Sequence, residues 1–486
     1  MKVRRGQDYL AALRDDRAVH IDGERVSDVA NHPAFRNTVA SFAAMYDFQA
    51  SPAQLELMTF PCPGAPDRRV NRAWDLPHSH SDLVRRRQAI AAWSALNFGF
   101  LGRSPDHVAS SLGGMVMALD VFARGGAERA AALAAYFARA RAEDLFVSYV
   151  IQNPQADKSA SASGQRRDLV LHVERETDAG IVVRGAKMLG TAAVMADEIL
   201  VGHIQPLAPG EEAYALSFAV PVATPCLRLL SRRSYERAAV SAFDCPLSAR
   251  FDENDAVVHF EGVLVPWERV FVYRDTDIAR AQWHDTPAHV FQNYQSQIRL
   301  MVKMRFLAGL GRRIAEVNGA DRIPQVRSAL GRLAAMAGMV EGMVSGMEAE
   351  GRGVGGHFVP SAPLLYAAQT FTQELYPQAV QILREIAGGG VIMLPSSLRD
   401  FDDPELGPII EETQVSPVTD ARDRVALMKL AWDAVGSEFG SRHTQYEMFY
   451  GGAAYVNHAH VWRLHDWANG SDMVSRALAG SQRPAS

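Results

Sequence analysis

At 486 residues the chain exceeds the ~250–300 residues that one hydrophobic core usually serves, so two or three domains are expected. It is 48% hydrophobic and 22% charged, and its net charge of −5 excludes the basic footprint of a nucleic-acid binder. Cys62, Cys226 and Cys245 are far apart and form no C-x-x-C, which argues against a disulfide framework or a zinc site and fits a reducing cytoplasm.

The start, MKVRRGQDYL, is basic but no apolar core of signal-peptide length follows it. No run approaches the ~18 apolar residues of a membrane span, so a soluble cytoplasmic protein is expected. Residues 1–32 read as an extension with a short hairpin around Gly23. Residues 33–143 read as mainly helical, ending in AERAAALAAYFARARAE, a run of strong helix formers. Inside this region Gly102 and Pro105 punctuate FGFLGRSPDHVASSLGGM, where Ser104 or Asp106 is placed to cap the next helix.

Near residue 145 the period changes. Short β-branched and aromatic segments at 146–151, 169–173, 180–183, 198–201, 213–221, 257–260 and 270–273 suggest an antiparallel sandwich or barrel. After residue 275 helical periodicity returns over 295–313, 324–350 and 363–387, which suggests a bundle shared between subunits. Met336, Met339, Met343 and Met347 recur at helical spacing and read as packing. Residues 424–452 read as one helical run whose second half crowds Arg442, His443, Tyr446 and Glu447 beside aromatic residues. The division expected is α+β: a helical domain over 1–145, a β domain over 146–275 and a helical bundle over 276–486.

Three places carry candidate chemistry. In RSPDH, Arg103 stands four residues before His107 at a break between helices. A permanent cation beside an imidazole can hold an anion or a phenolate, and a surface ion pair at a helix start is the plainer reading. Tyr149 precedes QNPQ (Gln152, Asn153, Gln155), and GAKMLGTAA places two glycines ahead of Thr191. Such turns offer N–H groups and a hydroxyl to a ligand with several acceptors, or are simply turns. Gly388, Gly389 and Gly390 exceed what a helix C-cap needs; they permit the close backbone approach that phosphate requires, or form a flexible loop. There is no P-loop, G-x-S-x-G, H-E-x-x-H or strand-linked G-x-G-x-x-G, which argues against an NTPase, a serine hydrolase, a zincin and a Rossmann dehydrogenase.

HPAFRNTVASFAAMYD, GRSPDH, NPQADKS, GAKMLGTAAVMADE, VLVPWERVFVYRD, GGGVIMLPSS and the 424–452 stretch occur in that order. Together they resemble the 4-hydroxyphenylacetate 3-monooxygenase family, oxygenase components of two-component flavin-dependent monooxygenases, over nearly the whole chain. The resemblance implies an acyl-CoA-dehydrogenase-like architecture and a homotetramer. It implies FAD, used as FADH2 supplied by a separate NAD(P)H-dependent flavin reductase, with molecular oxygen as co-substrate. A flavin C4a-hydroperoxide would then hydroxylate a para-substituted phenol ortho to its hydroxyl. Arg103 matches the family's phenolate-orienting arginine, with His107 and Tyr149 completing the catalytic set. Gln152, Asn153, Gln155 and Thr191 would surround the flavin ring, and Gly388, Gly389 and Gly390 its adenosine or pyrophosphate.

Two positions depart from the phenylacetate enzymes, which carry tyrosine where His107 stands and histidine where Tyr149 stands. That swap resembles the branch acting on other phenols. His289, shortly before the helix at 295–313, is a further substrate-binding candidate, and the Arg442–Glu447 cluster reads as structural or interface wiring. Oxidative dehalogenation of halophenols or N-oxygenation by the same flavin chemistry is the alternative. An iron–sulfur dehydratase of the same superfamily fits less well, because the three cysteines fall outside the matching motifs. A non-catalytic flavin-binding protein is the rival from another class.

Overall fold

Alternation of apolar and polar residues builds the centre of the protein, described here from a computed structural model covering residues 1–154, 156–166 and 168–481. Along the strand Asp255–Pro266, Ala256, Val258 and Phe260 face inward at period two. The register then shifts between Glu261 and Val263, at Gly262 with φ +70°. One extra residue resets the phase, so Val263 and Val265 face the same core.

That strand sits inside a six-stranded sheet, ordered Glu24–Val26, Ala18–Ile21, Leu227–Ser231, Asp255–Pro266, Gly180–Thr191 and His172–Thr177. A second sheet of four strands runs Val270–Tyr273, Leu216–Pro221, Glu198–Val201 and Val147–Val150. Most pairs are antiparallel, as expected. Two are parallel: Ala18–Ile21 with Leu227–Ser231, and Val147–Val150 with Glu198–Val201. The hairpin read as an N-terminal extension is therefore an edge of the larger sheet. GAKMLGTAA is not a turn; Gly185–Thr191 is the second half of the twelve-residue strand Gly180–Thr191. Its Gly185, at φ +113°, lies so close to the Val170 carbonyl that a Cβ would stand 2.5 Å from the oxygen. The glycine thus lets the strand bend without ending.

Helices flank the sheets on either side in sequence, giving the helical–β–helical α+β order expected. The long helix Ala288–Val317 packs against Pro105–Val116, Pro324–Ala349 and Ala362–Ala387. It begins seven residues earlier than its periodicity suggested, so His289 lies in its first turn and not in a loop. The helix is buried nearly all round, yet Gln292, Asn293, Gln295, Gln297, Arg299 and Lys303 are among its buried residues. Burying that many polar groups is costly unless each finds a partner, which marks this helix as the wall of a polar site.

The 424–452 stretch is two helices, Ala421–Val435 and Glu438–Phe449, and not one. Ser437 accepts the Gly440 N–H and starts the second. Gly436 has the Trp432 ring against it, and a Cβ there would meet the ring at 2.3 Å. Of the methionine stripe, Met336 and Met347 are buried and Met339 is exposed. No helix among the described residues is long and apolar enough to cross a membrane. Tyr455, Trp462, Trp467, Met473 and Val474 leave an apolar face open at the C-terminal end.

Candidate active site

Arg103 ends the link before the helix Pro105–Val116, and Pro105 in the first helical position fixes where that helix begins. His107 follows one turn on, so the guanidinium and imidazole share a face. Arg103 Nη1 donates to His107 Nε2 at 3.0 Å. Three tyrosine rings surround the cation: its guanidinium carbon lies 4.5 Å from the Tyr149 centroid, 4.9 Å from Tyr450 and 5.7 Å from Tyr446. Burial opposes the Arg103 charge, and the three tyrosine hydroxyls outweigh it, holding its pKa above the ordinary value. Burial and the charges of Arg103 and Arg299 push His107 well down, so its imidazole is neutral. Burial likewise raises Tyr446 and Tyr450 against the pull of Arg103.

Because the guanidinium can only donate, His107 Nε2 is an acceptor. The Tyr450 hydroxyl lies 2.8 Å from the same nitrogen and 3.2 Å from the Gln292 carbonyl, with one proton to share between them. Gln292 Nε2 donates to the Tyr149 hydroxyl at 3.1 Å, and Ser111 Oγ donates to Gln292 Oε1 at 3.1 Å. Arg103 Nε and the Tyr446 hydroxyl are buried and have no partner among the described residues.

A chain of charge joins this cluster to Thr191. Glu253 accepts the Arg103 backbone N–H at 2.8 Å and Arg442 Nη1 at 2.7 Å. Arg442 also donates to both oxygens of Asp255, at 2.6 and 3.0 Å. Asp255 accepts the Thr191 hydroxyl at 2.6 Å. Burial would raise Asp255, but Arg442 and Arg232 outweigh it and hold the carboxyl well below its usual range. Behind the tyrosines, Arg299 grips Glu447 with two 2.7 Å bonds while Lys303 reaches the same carboxylate at 3.0 Å.

Arg103, His107 and Tyr149 thus come together, and Thr191 is wired to them. Gln152 bridges to Met188 on the Thr191 strand. Asn153 is drawn to Lys187 and Gln205. Gln155 lies outside the described residues. Gly388, Gly389 and Gly390 form a surface turn ending Ala362–Ala387, with Gly390 near Met428 and Arg424, and take no part in this network. His289 belongs to a different cluster: its Nδ1 lies 2.7 Å from the Tyr366 hydroxyl, beside His284 and His460.

The Arg442–Glu447 segment needs correcting. Arg442 and Glu447 are wiring, but Tyr446 and Tyr450 on the same helical face form two walls of the Arg103 box. Sequence reasoning also missed Gln292 and Glu253. The signal available was the four-residue spacing of Arg442, Tyr446 and Tyr450.

Two solved structures share the whole architecture. The oxygenase component of 4-hydroxyphenylacetate 3-monooxygenase complexed with FAD superposes with a TM-score of 0.93 at 32% identity, covering 99% of each chain. A 4-hydroxybutyryl-CoA dehydratase from N. maritimus superposes at 0.89 with 19% identity, covering 100% of this chain and 96% of that one, a likeness of fold alone. Among the described residues no group of three His, Cys, Asp or Glu side chains is placed to hold a metal. Of the curated relatives, a 4-nitrophenol 2-monooxygenase oxygenase component from a Rhodococcus species is 38% identical over 92% of this chain and 86% of its own. A pyoverdin chromophore biosynthetic protein from Pseudomonas aeruginosa is 36% identical over 92% of this chain and 89% of its own. The protein is a flavin-dependent monooxygenase that uses FAD and oxygen. Family models described as 4-hydroxyphenylacetate 3-hydroxylase N terminal and C terminal match residues 5–272 and 279–479. The chain belongs to the 4-hydroxyphenylacetate 3-hydroxylase family.

Proposed function

We propose that this chain hydroxylates a para-substituted phenol ortho to its hydroxyl, with Arg103 positioning the phenol oxygen. The observation that carries this reading is the buried guanidinium, boxed by Tyr149, Tyr446 and Tyr450, against a neutral His107. The box excludes water and leaves one cation and one acceptor nitrogen for an oxygen ligand. A phenol oxygen that displaces the Tyr450 hydroxyl from His107 Nε2 gains that acceptor and the Arg103 N–H together. Tyr149, its hydroxyl held by Gln292, sets the face on which the ring lies.

The residues present fit FAD in chemical type. Leu189 is 52% exposed at a left-handed kink (φ +61°) between Met188 and Gly190, which offers an apolar face to a flat ring. Gln152 and Asn153 offer amides and Thr191 a hydroxyl, with Gln155 in the same motif. Nothing lies within 4 Å of where a Cβ would stand on Gly388 or Gly389, so a phosphate can approach that backbone. When bound and reduced, the flavin supplies the oxygen-activating chemistry. A separate NAD(P)H-dependent reductase delivers it as FADH2. The open apolar face at Tyr455, Trp462 and Trp467 supports assembly into a homotetramer.

The test is purified protein given FADH2, oxygen and a panel of para-substituted phenols, with catechols as the expected products. Arg103→Ala should lower kcat/KM about a hundredfold, the usual penalty for a misplaced reactant. Wild-type rates in that variant would remove Arg103 from the assignment.

A further inference from the structure

A string of buried polar side chains runs from Ser111 through Gln292 to Tyr149 and ends inside the Arg103 box. Ser111 lies one turn beyond His107 on the helix Pro105–Val116, so the two share a face. Gln292 stands in the second turn of the helix Ala288–Val317, which packs against it. Ser111 Oγ donates to Gln292 Oε1 at 3.1 Å. With its oxygen facing Ser111, the Gln292 amide turns Nε2 the other way, where it donates to the Tyr149 hydroxyl at 3.1 Å. Ser111, Gln292 and Tyr149 are 1%, 4% and 7% exposed, so water does not compete for these bonds.

A phenolic hydroxyl carries one proton and rotates about its C–O bond, so its neighbours decide where that proton points. The Tyr149 oxygen receives Gln292 Nε2, and the Arg103 guanidinium that also bonds it can only donate. Both neighbours being donors, the Tyr149 proton points away from them, into the box. Among the described residues none accepts it. The opposite amide orientation would reverse this, because Oε1 would then take the Tyr149 proton out of the box. The Ser111 hydroxyl at Oε1 and the Arg103 charge at the Tyr149 oxygen hold the amide the first way. A string that served only to satisfy buried groups would close on an acceptor; this one ends on a free donor.

We propose that Gln292 and Ser111 are positioning residues for the hydroxylation, which together turn the Tyr149 proton towards the phenol oxygen. This rests on the phenol hydroxylase reading. The box then offers two donors, Arg103 and Tyr149, and one acceptor, His107 Nε2. A phenol hydroxyl has one proton to give and can accept twice, so it answers all three. As the phenol ionises, both donors stay with its oxygen and bind it more strongly, since hydrogen bonds to a charged oxygen are the stronger kind. Gln292 thus acts on the substrate through Tyr149 and not by contact. Its main-chain carbonyl has a separate task, accepting the Tyr450 hydroxyl at 3.2 Å, which no side-chain substitution removes.

The probe is 4-nitrophenol, whose anion absorbs in the visible, titrated on the full chain with oxidised FAD present so that no turnover occurs. Difference spectra against the same protein without nitrophenol give the pKa of the bound phenol. Tyr149→Phe should raise that pKa by about one unit, a tenfold shift, because the anion loses a charge-assisted donor. Gln292→Met should raise it by a similar amount, and should add nothing in the Tyr149→Phe background. Ser111→Ala should move it the same way by less, and Ser111→Thr, which keeps the hydroxyl, should restore the wild-type value. If Gln292→Met does not fold, the two Ser111 variants carry the test. An unchanged pKa in Gln292→Met, or in Ser111→Ala where that pair is read, overturns the proposal. So does an equal shift with and without the Tyr149 hydroxyl, which would assign Gln292 to packing. Absence of bound nitrophenol overturns it as well. Catechol formation from the phenol panel is recorded on the same preparations. A pKa that follows Gln292 through Tyr149 without any catechol would sink the hydroxylase reading and leave the proton's orientation standing.

Discussion

Replacing Glu447 with glutamine removes one negative charge from the centre of two positive ones. Arg299 and Lys303 both end on this carboxylate, and the three side chains are 1%, 0% and 3% exposed for Arg299, Lys303 and Glu447. Burial would raise the Glu447 carboxyl, yet the two cations hold it down at about 2. Lys303, by contrast, is pushed down to about 8 by burial despite its partner. The triad therefore carries one net positive charge. Glu447→Gln leaves two buried cations unbalanced and should cost about 3–5 kcal/mol, a large share of the ~5–15 kcal/mol typical of folded proteins. Lys303→Met leaves the two-bond Arg299–Glu447 pair balanced and should cost about 1 kcal/mol or less. Urea denaturation followed by tryptophan fluorescence measures both, read as a shift in midpoint at constant slope. The sign with pH follows from the lowered carboxyl. The Glu447 contribution is complete above the ordinary carboxylate range and is lost as pH falls towards 2. If Lys303→Met destabilises as much as Glu447→Gln, the charge argument is wrong and the triad is held by packing.

Two further substitutions probe the site from other directions. A Cβ on Gly102 would stand 2.6 Å from the Tyr446 hydroxyl oxygen and 2.7 Å from the ring carbon bearing it. Gly102→Ala should therefore displace Tyr446 from Arg103 and lower kcat/KM for phenol hydroxylation about tenfold, equivalent to ~1.4 kcal/mol, with circular dichroism unchanged. A fully active variant would show that Tyr446 has no positioning role. Asp106 is pushed up to about 6 by burial, against hydrogen bonds from Ser104 and Gln295, and its Oδ2 has no partner. A carboxyl raised in the folded state costs stability once it ionises, so wild-type stability should fall between about pH 4 and 6 from this group. Asp106→Asn should flatten that segment of the stability–pH curve and equal or exceed the wild type at pH 7.5; a loss above ~1 kcal/mol there would refute the assignment.

How much was legible depended on whether partners were close in sequence. Arg103 and His107 are one helical turn apart, so their pairing could be read from RSPDH directly. Tyr446 and Tyr450 reach the same guanidinium from more than 300 residues away, and periodicity carries no information about which helix faces which. GAKMLGTAA was misread because its glycines suggest turns. The structure uses Gly185 for a close strand approach, and the ladder continues beyond it to Thr191 across a bulge at Met188 and Leu189. The break at Gly436–Ser437 was readable as a cap signal inside an otherwise periodic run, but amphipathic spacing on both sides masked it.

The pairing of Ala18–Ile21 with Leu227–Ser231 has a bearing on how the chain is made. The first hairpin emerges from the ribosome about 200 residues before the strand it joins. At ~5–20 residues per second it waits on the order of 10–40 s with one edge bare. Val19, Ile21 and Val26, all buried in the finished protein, are exposed during that interval. The nascent hairpin is thus a surface for a chaperone to shield, and slowed synthesis would lengthen the interval in which it can misassemble.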